Sequence, residues 1–148
     1  MKAIHVPNGA GRILDLLGMS TVTKVSSRET GGQYYLAEQS ASPGQGVPPH
    51  CHSREDEIFF VIEGSYLFTL GEQNMIAGSG DILHAPRGVP HSYRALGSGT
   101  CRLRYMVIPG ELENFFIELA TFPEGPPDLE RLGELFERFG IELMAGGG

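Results

Sequence analysis

His50 and His52 stand one residue apart, and Glu57 follows five positions after His52. On an extended chain, residues i and i+2 point the same way. The two imidazoles therefore share one face, and Cys51 points to the other. Ser53, Arg54, Glu55 and Asp56 form a short turn that returns Glu57 to the imidazole side at the start of the next strand. A second stretch reads Gly80, Pro86, Gly88, His91. Its Pro and Gly fix a tight turn, after which His91 opens another strand and supplies a third imidazole from across a barrel. Imidazoles with a carboxylate suit iron, manganese, nickel, copper or zinc, and suit calcium or magnesium poorly.

Elements that position such a set are legible around it. Residues 57–63 are β-branched and aromatic, and Gly64 cuts them off. Tyr66, Phe68 and Leu70 alternate along the next strand, and Gly71-Glu72 closes the hairpin. Further strands are expected over 21–26, 33–37, 75–77, 81–85, 91–95 and 100–108. In the last of these, Cys101, Leu103, Tyr105 and Val107 alternate with Arg102 and Arg104, giving a dry and a wet face. Residues 39–49, rich in Ser, Gly and Pro, read as a loop. Helix is expected only late, over 111–120 and again after Asp128. In the second helix Leu129, Leu132, Leu135, Phe136 and Phe139 form one stripe, and Gly140 stops it. Short strands followed by one or two small helices indicate an all-β sandwich or jelly roll, one domain over 1–148 with a helical segment at about 111–140.

Composition narrows the function. The chain has 148 residues, 41% of them hydrophobic, with 21 glycines and a net charge of −7. That charge argues against nucleic acid and against an anionic membrane surface. No apolar stretch approaches the ~18–20 residues of a membrane span, and residues 1–7 hold no signal-peptide core, so a cytoplasmic location is the expectation. Cys51 and Cys101 form neither a disulfide framework nor a zinc motif. Residues 146–148, all glycine, read as a tail without structure. His5 and His84 read as structural or surface residues, and Glu55 or Asp56 as a solvated turn within reach of a ligand histidine.

The two histidine stretches resemble the paired motifs of the cupin superfamily. The first, over 44–64, matches Gly-x5-His-x-His-x4-Glu-x6-Gly at every fixed position. The second, over 80–95, matches Gly-x5-Pro-x-Gly-x2-His, with Ala95 where the family motif ends in Asn. The resemblance implies a double-stranded β-helix, or jelly-roll barrel, and one divalent transition metal per chain on His50, His52, Glu57 and His91. The segment from His50 to Gly64 and the tail around Phe122-Pro123 and Phe139-Gly140 are similar to quercetin 2,3-dioxygenase-like members. That likeness implies a mononuclear metal-dependent dioxygenase taking dioxygen and a small aromatic or enolisable substrate, with Glu57 as both ligand and catalytic base. A non-catalytic small-molecule sensor and a metal-dependent isomerase or hydrolase are the alternatives.

Strand alternation extends the expectation to a pocket. If Glu57 points inward, so does Phe59, and Tyr66, Tyr93 and Tyr105 are the further candidates for a substrate wall. Ile58, Phe60 and Ile62 then face outward. An apolar outer face requires cover, and a homodimer is expected to supply it.

Overall fold

The structure, a computed structural model, describes residues 1–144; the expectation for residues 146–148 falls outside them. Within these residues the chain forms strands β1 (Arg12–Leu16), β2 (Met19–Val25), β3 (Tyr35–Ala41), β4 (Gly46–His52), β5 (Asp56–Glu63), β6 (Ser65–Leu70), β7 (Gln73–Gly78), β8 (Ile82–Ala85), β9 (His91–Ala95) and β10 (Cys101–Ile108). A 3₁₀ turn at Gly110–Leu112 leads into α1 (Glu113–Leu119), followed by α2 (Leu129–Arg138) and a last strand, β11 (Ile141–Leu143).

The strands make two antiparallel sheets. One runs β1-β2-β3-β10-β5-β8 and the other β11-β4-β9-β6-β7. The core lies between them, because alternate residues of β2, β3, β5 and β10 turn inward and are buried. Phe59 of the six-stranded sheet meets Phe68 and Tyr93 of the five-stranded sheet, with ring centroids 5.3 and 5.6 Å apart. Tyr35, Tyr66, Phe68 and Leu103 are wholly inaccessible, and each such side chain contributes about 1.5–3 kcal/mol by leaving water. The all-β architecture with C-terminal helices is thus the one the sequence indicates.

Several boundaries differ from the sequence reading. β1 had no expected counterpart: Ile13 is exposed, so Arg-Ile-Leu-Asp-Leu lacks a clean period of two on its outer side. The stretch 39–49 is not a loop throughout. β3 runs on to Ala41, and β4 begins at Gly46 in spite of Pro48 and Pro49. Those prolines fall where β4 and β9 lose regular register, between Val47 and His50, so their missing N–H groups break no ladder. β11 is too short to show periodicity.

The C-terminal segment is tied directly to the ligand strand. Asp128 caps α2 by accepting from the backbone N–H groups of Glu130 and Arg131. Leu132, Leu135, Phe136 and Phe139 pack on the core, whereas Leu129 lies in the first turn and is 75% exposed, so it drops out of the expected stripe. Gly140, at φ +69°, turns the chain back beneath the metal loop. There Ser53 donates from both its N–H and its hydroxyl to the Gly140 carbonyl, and Arg54 donates to the Arg138 carbonyl. β11 then pairs with β4, setting Ile141 opposite His52 and Leu143 opposite His50.

Candidate metal centre

Four side chains from three strands converge at one end of the space between the sheets. His50 and His52 come from β4, His91 from β9, and Glu57 from β5 of the opposite sheet. One donor atom from each lies within 4.8 Å of every other. The spacing explains the convergence: His50 and His52 share a face of β4, and β4 pairs with β9 so that His50 sits opposite His91. The three imidazole rings lie 4.4 to 5.6 Å apart.

Hydrogen bonds fix which nitrogens are free. His50 Nδ1 donates to the Pro48 carbonyl at 2.8 Å, and His91 Nδ1 donates to the Val89 carbonyl at 3.1 Å. Both rings therefore present Nε2 as an acceptor. His52 Nε2 is 2.6 Å from Glu57 Oε1, and its Nδ1 faces Glu55 Oε1 at 3.8 Å. Glu55 is buried, which removes it from the solvated turn to which its sequence position assigns it.

The residues fit a metal ion on two observations. His91 Nε2 is buried and has no hydrogen-bond partner, an arrangement that is costly unless another group is to meet it. The donor set of three imidazoles and one carboxylate matches first-row transition metals. Electrostatics agree. Burial raises the Glu57 carboxyl, but His52 and His91 outweigh it and hold it well below the usual carboxylate range. Burial and the neighbouring His91 depress His50 to about 4, keeping its imidazole neutral. Burial opposes a proton on His52, but Glu57 and Glu55 prevail and raise it. A metal ion would take the place of that proton between His52 and Glu57.

Three of the donors, His50, His52 and Glu57, line a cavity of about 210 Å³. Its wall is almost wholly apolar. Phe59, Tyr93 and Tyr105 line it from the strands, and Phe115, Phe116 and Phe136 line it from the two helices. Tyr66, the remaining pocket candidate, is fully buried between Phe68 and Tyr93 and is not part of this wall. His84 is exposed on the outer face of β8, opposite Ile58. Sequence reasoning missed Gln39 and Thr21. Gln39 lines the cavity and accepts from the Tyr93 hydroxyl at 2.5 Å, and it donates to the Thr21 hydroxyl at 3.3 Å. Its signal was present, since Gln39 is two residues beyond Ala37 on the inward face of β3. Of the helical aromatics at the cavity, the sequence sets only Phe136 on an apolar stripe, and nothing in that spacing distinguishes a core from a cavity wall.

Comparisons with known proteins agree with this geometry. Residues 37–109 match the Cupin domain family. The chain is 30% identical over 100 residues to quercetin 2,3-dioxygenase from Bacillus subtilis (strain 168), a match covering 68% of this chain. It spans only 29% of that relative's length. Among solved structures, KdgF from Halomonas sp. superposes with a TM-score of 0.65 at 19% identity, covering 74% of this chain and 97% of the other. The polyketide cyclase RemF from Streptomyces resistomycificus superposes with a TM-score of 0.54 at 29% identity, covering 73% and 79%. The paired histidine motifs, the two facing antiparallel sheets and these matches together make the chain a member of the cupin superfamily.

Proposed function

We propose that this protein is a mononuclear metal-dependent dioxygenase of the quercetinase-like type, acting on a small aromatic or enolisable substrate. The observation that carries the reading is the placement of a three-histidine, one-glutamate cluster at the floor of an apolar, aromatic-walled cavity. Likeness to the quercetin 2,3-dioxygenase supports it. A bound redox metal would supply a Lewis-acidic point for a substrate oxygen and a route for electrons to dioxygen.

The chain's own residues do the rest. Glu57 Oε1, the acceptor nearest the imidazoles, would take the proton of an incoming hydroxyl that a bound metal would acidify. The aromatic wall holds a flat ring system by area and by edge contacts. Phe115 and Phe116 of α1 and Phe136 of α2 extend the apolar wall, from which a bound ring would displace water. The test is elemental analysis of untagged protein, followed by oxygen uptake with a flavonol or a β-diketone. Uptake that disappears in His50→Ala is expected. A fully metallated protein without turnover over a broad panel overturns the reading.

Similarity to the polyketide cyclase RemF favours a second reading, in which the metal polarises a carbonyl and no dioxygen is consumed. Zinc as the sole metal in the purified protein would select it. For assembly, the homodimer is also a proposal. Ile58, Phe60 and Ile62 are half-buried on the outer face, and Ile82 beside them is 65% exposed. Sedimentation showing only a 16.0 kDa species rules the dimer out. No helix among the described residues is long and apolar enough to cross a membrane.

A further inference from the structure

The hairpin of β1 and β2 turns on two residues, Leu17 and Gly18, between the paired Leu16 and Met19. Both turn residues have positive φ, +55° and +86°. Such a turn favours Asn or Asp before Gly, and an ordinary side chain in the left-handed region is strained. Leucine there gains little packing in return, since it is 59% exposed. It nevertheless lines the metal cavity, as do Leu16 and Met19 on either side of the turn. Pro48 of β4 and Leu143 of β11 are also both exposed and part of the cavity lining. Residues that are exposed and line a cavity mark its mouth, and here all three are apolar. Among the described residues lining the cavity there is no Lys or Arg.

We infer that Leu17, with Pro48 and Leu143, forms a specificity-determining rim that packs against the apolar end of a ligand whose oxygens face the metal cluster. The site then selects enolisable compounds with an uncharged apolar extension over short ones and over ones charged at that end. The inference rests on the proposed reading of the cavity as the substrate site. Size supports it. The cavity holds about 210 Å³, less than the ~300–1,000 Å³ usual for small-molecule sites, so part of a ligand of ordinary size lies at the mouth. An apolar extension there covers leucine that is otherwise in water, and the area removed favours binding. A carboxylate or phosphate in the same place would lose water and meet no cation from the lining.

The test uses the zinc-loaded protein, in which binding is separated from turnover. Three diketones with one head group, 2,4-pentanedione, 2,4-octanedione and 2,4-dodecanedione, are titrated and followed by enol absorbance. The natural protein is compared with Leu17→Asn and Ile13→Asn. Affinity should rise along the series by about fourfold for each methylene that reaches the rim. Leu17→Asn should weaken 2,4-dodecanedione about fivefold and leave 2,4-pentanedione unchanged. Ile13→Asn, on the outer face of the same hairpin, should alter neither. Without ligand, Leu17→Asn should melt no lower than the natural protein, since asparagine suits the turn. A chain-length preference that is unchanged in Leu17→Asn overturns the inference. So does a lower melting temperature for that variant, which would assign the leucine to the fold. Altered sedimentation of Leu17→Asn also overturns it, because the rim would then cover a second copy of the chain. If none of the diketones binds the zinc-loaded natural protein, the cavity reading itself falls, and the inference with it.

Discussion

The two halves of the donor set are held in different ways. Glu57 and His91 stand on strands flanked on both sides: β5 lies between β10 and β8, and β9 between β4 and β6. Both side chains are buried, at 5% and 2% exposure. His50 and His52 stand on β4, which pairs irregularly with β9 on one side and has only the three residues of β11 on the other. His50 is half-buried, although His52 beside it is as buried as Glu57. Glu57 and His91 thus belong to the core, while the His-x-His pair is positioned by a short strand from the C-terminus. Metal binding should therefore respond to changes in the C-terminal segment that leave the barrel standing.

The largest effect should come from breaking the core half. His91→Ala should lower metal affinity by at least the ~100-fold that outer partners of ligands are themselves worth, reducing metal content from about one per chain to almost none by elemental analysis. Retention of stoichiometric metal would mean the donor set is misassigned. Next in size, Phe59→Ala removes a ring packed on Phe68, Tyr93 and His91, at a cost of about 3–5 kcal/mol in urea unfolding. Phe60→Ala, on the half-exposed outer side of the same strand, should cost less than half as much.

Gly140→Ala tests the C-terminal half. Its backbone is at φ +69°, and an added Cβ would lie 2.5 Å from Ser53 Oγ, so about 1–2 kcal/mol of strain is expected. Metal affinity should fall several-fold with it, whereas Gly99→Ala, in open space, should leave affinity unchanged. An unaltered affinity in Gly140→Ala would show that β11 does not set the His-x-His pair. The smallest effect is expected of Asp128→Ala, which removes the cap of α2 for about 1 kcal/mol and lowers the melting temperature without altering metal content.

Much of this was legible in the sequence because the determinants are local. β5, β9 and β10 announce themselves by alternation and by the turns that bound them, and the four donors follow from i, i+2 geometry and two turns. What escaped notice depends on distant partners. β4 is rich in proline and reads as a loop; it becomes a strand because β9 and β11 lie beside it. β11 has too few residues to carry a pattern. Alternation along β3 turns Gln39 inward, but its place at the cavity depends on Tyr93 from the opposite sheet. A stripe such as Leu132, Leu135, Phe136 and Phe139 says that a helix docks, and not whether the space beneath it is filled.

The carbonyls that hold His50 and His91 carry a consequence for engineering. Each ring takes its orientation from the residue two places before it, Pro48 or Val89, and His52 faces a carboxylate only three places after it. The instructions that aim the ligands are thus written within the peptides that bear them. A host barrel given these two short segments would need to supply their relative placement, a carboxylate across the gap and a strand to back the His-x-His pair, which makes the centre a transplantable cassette.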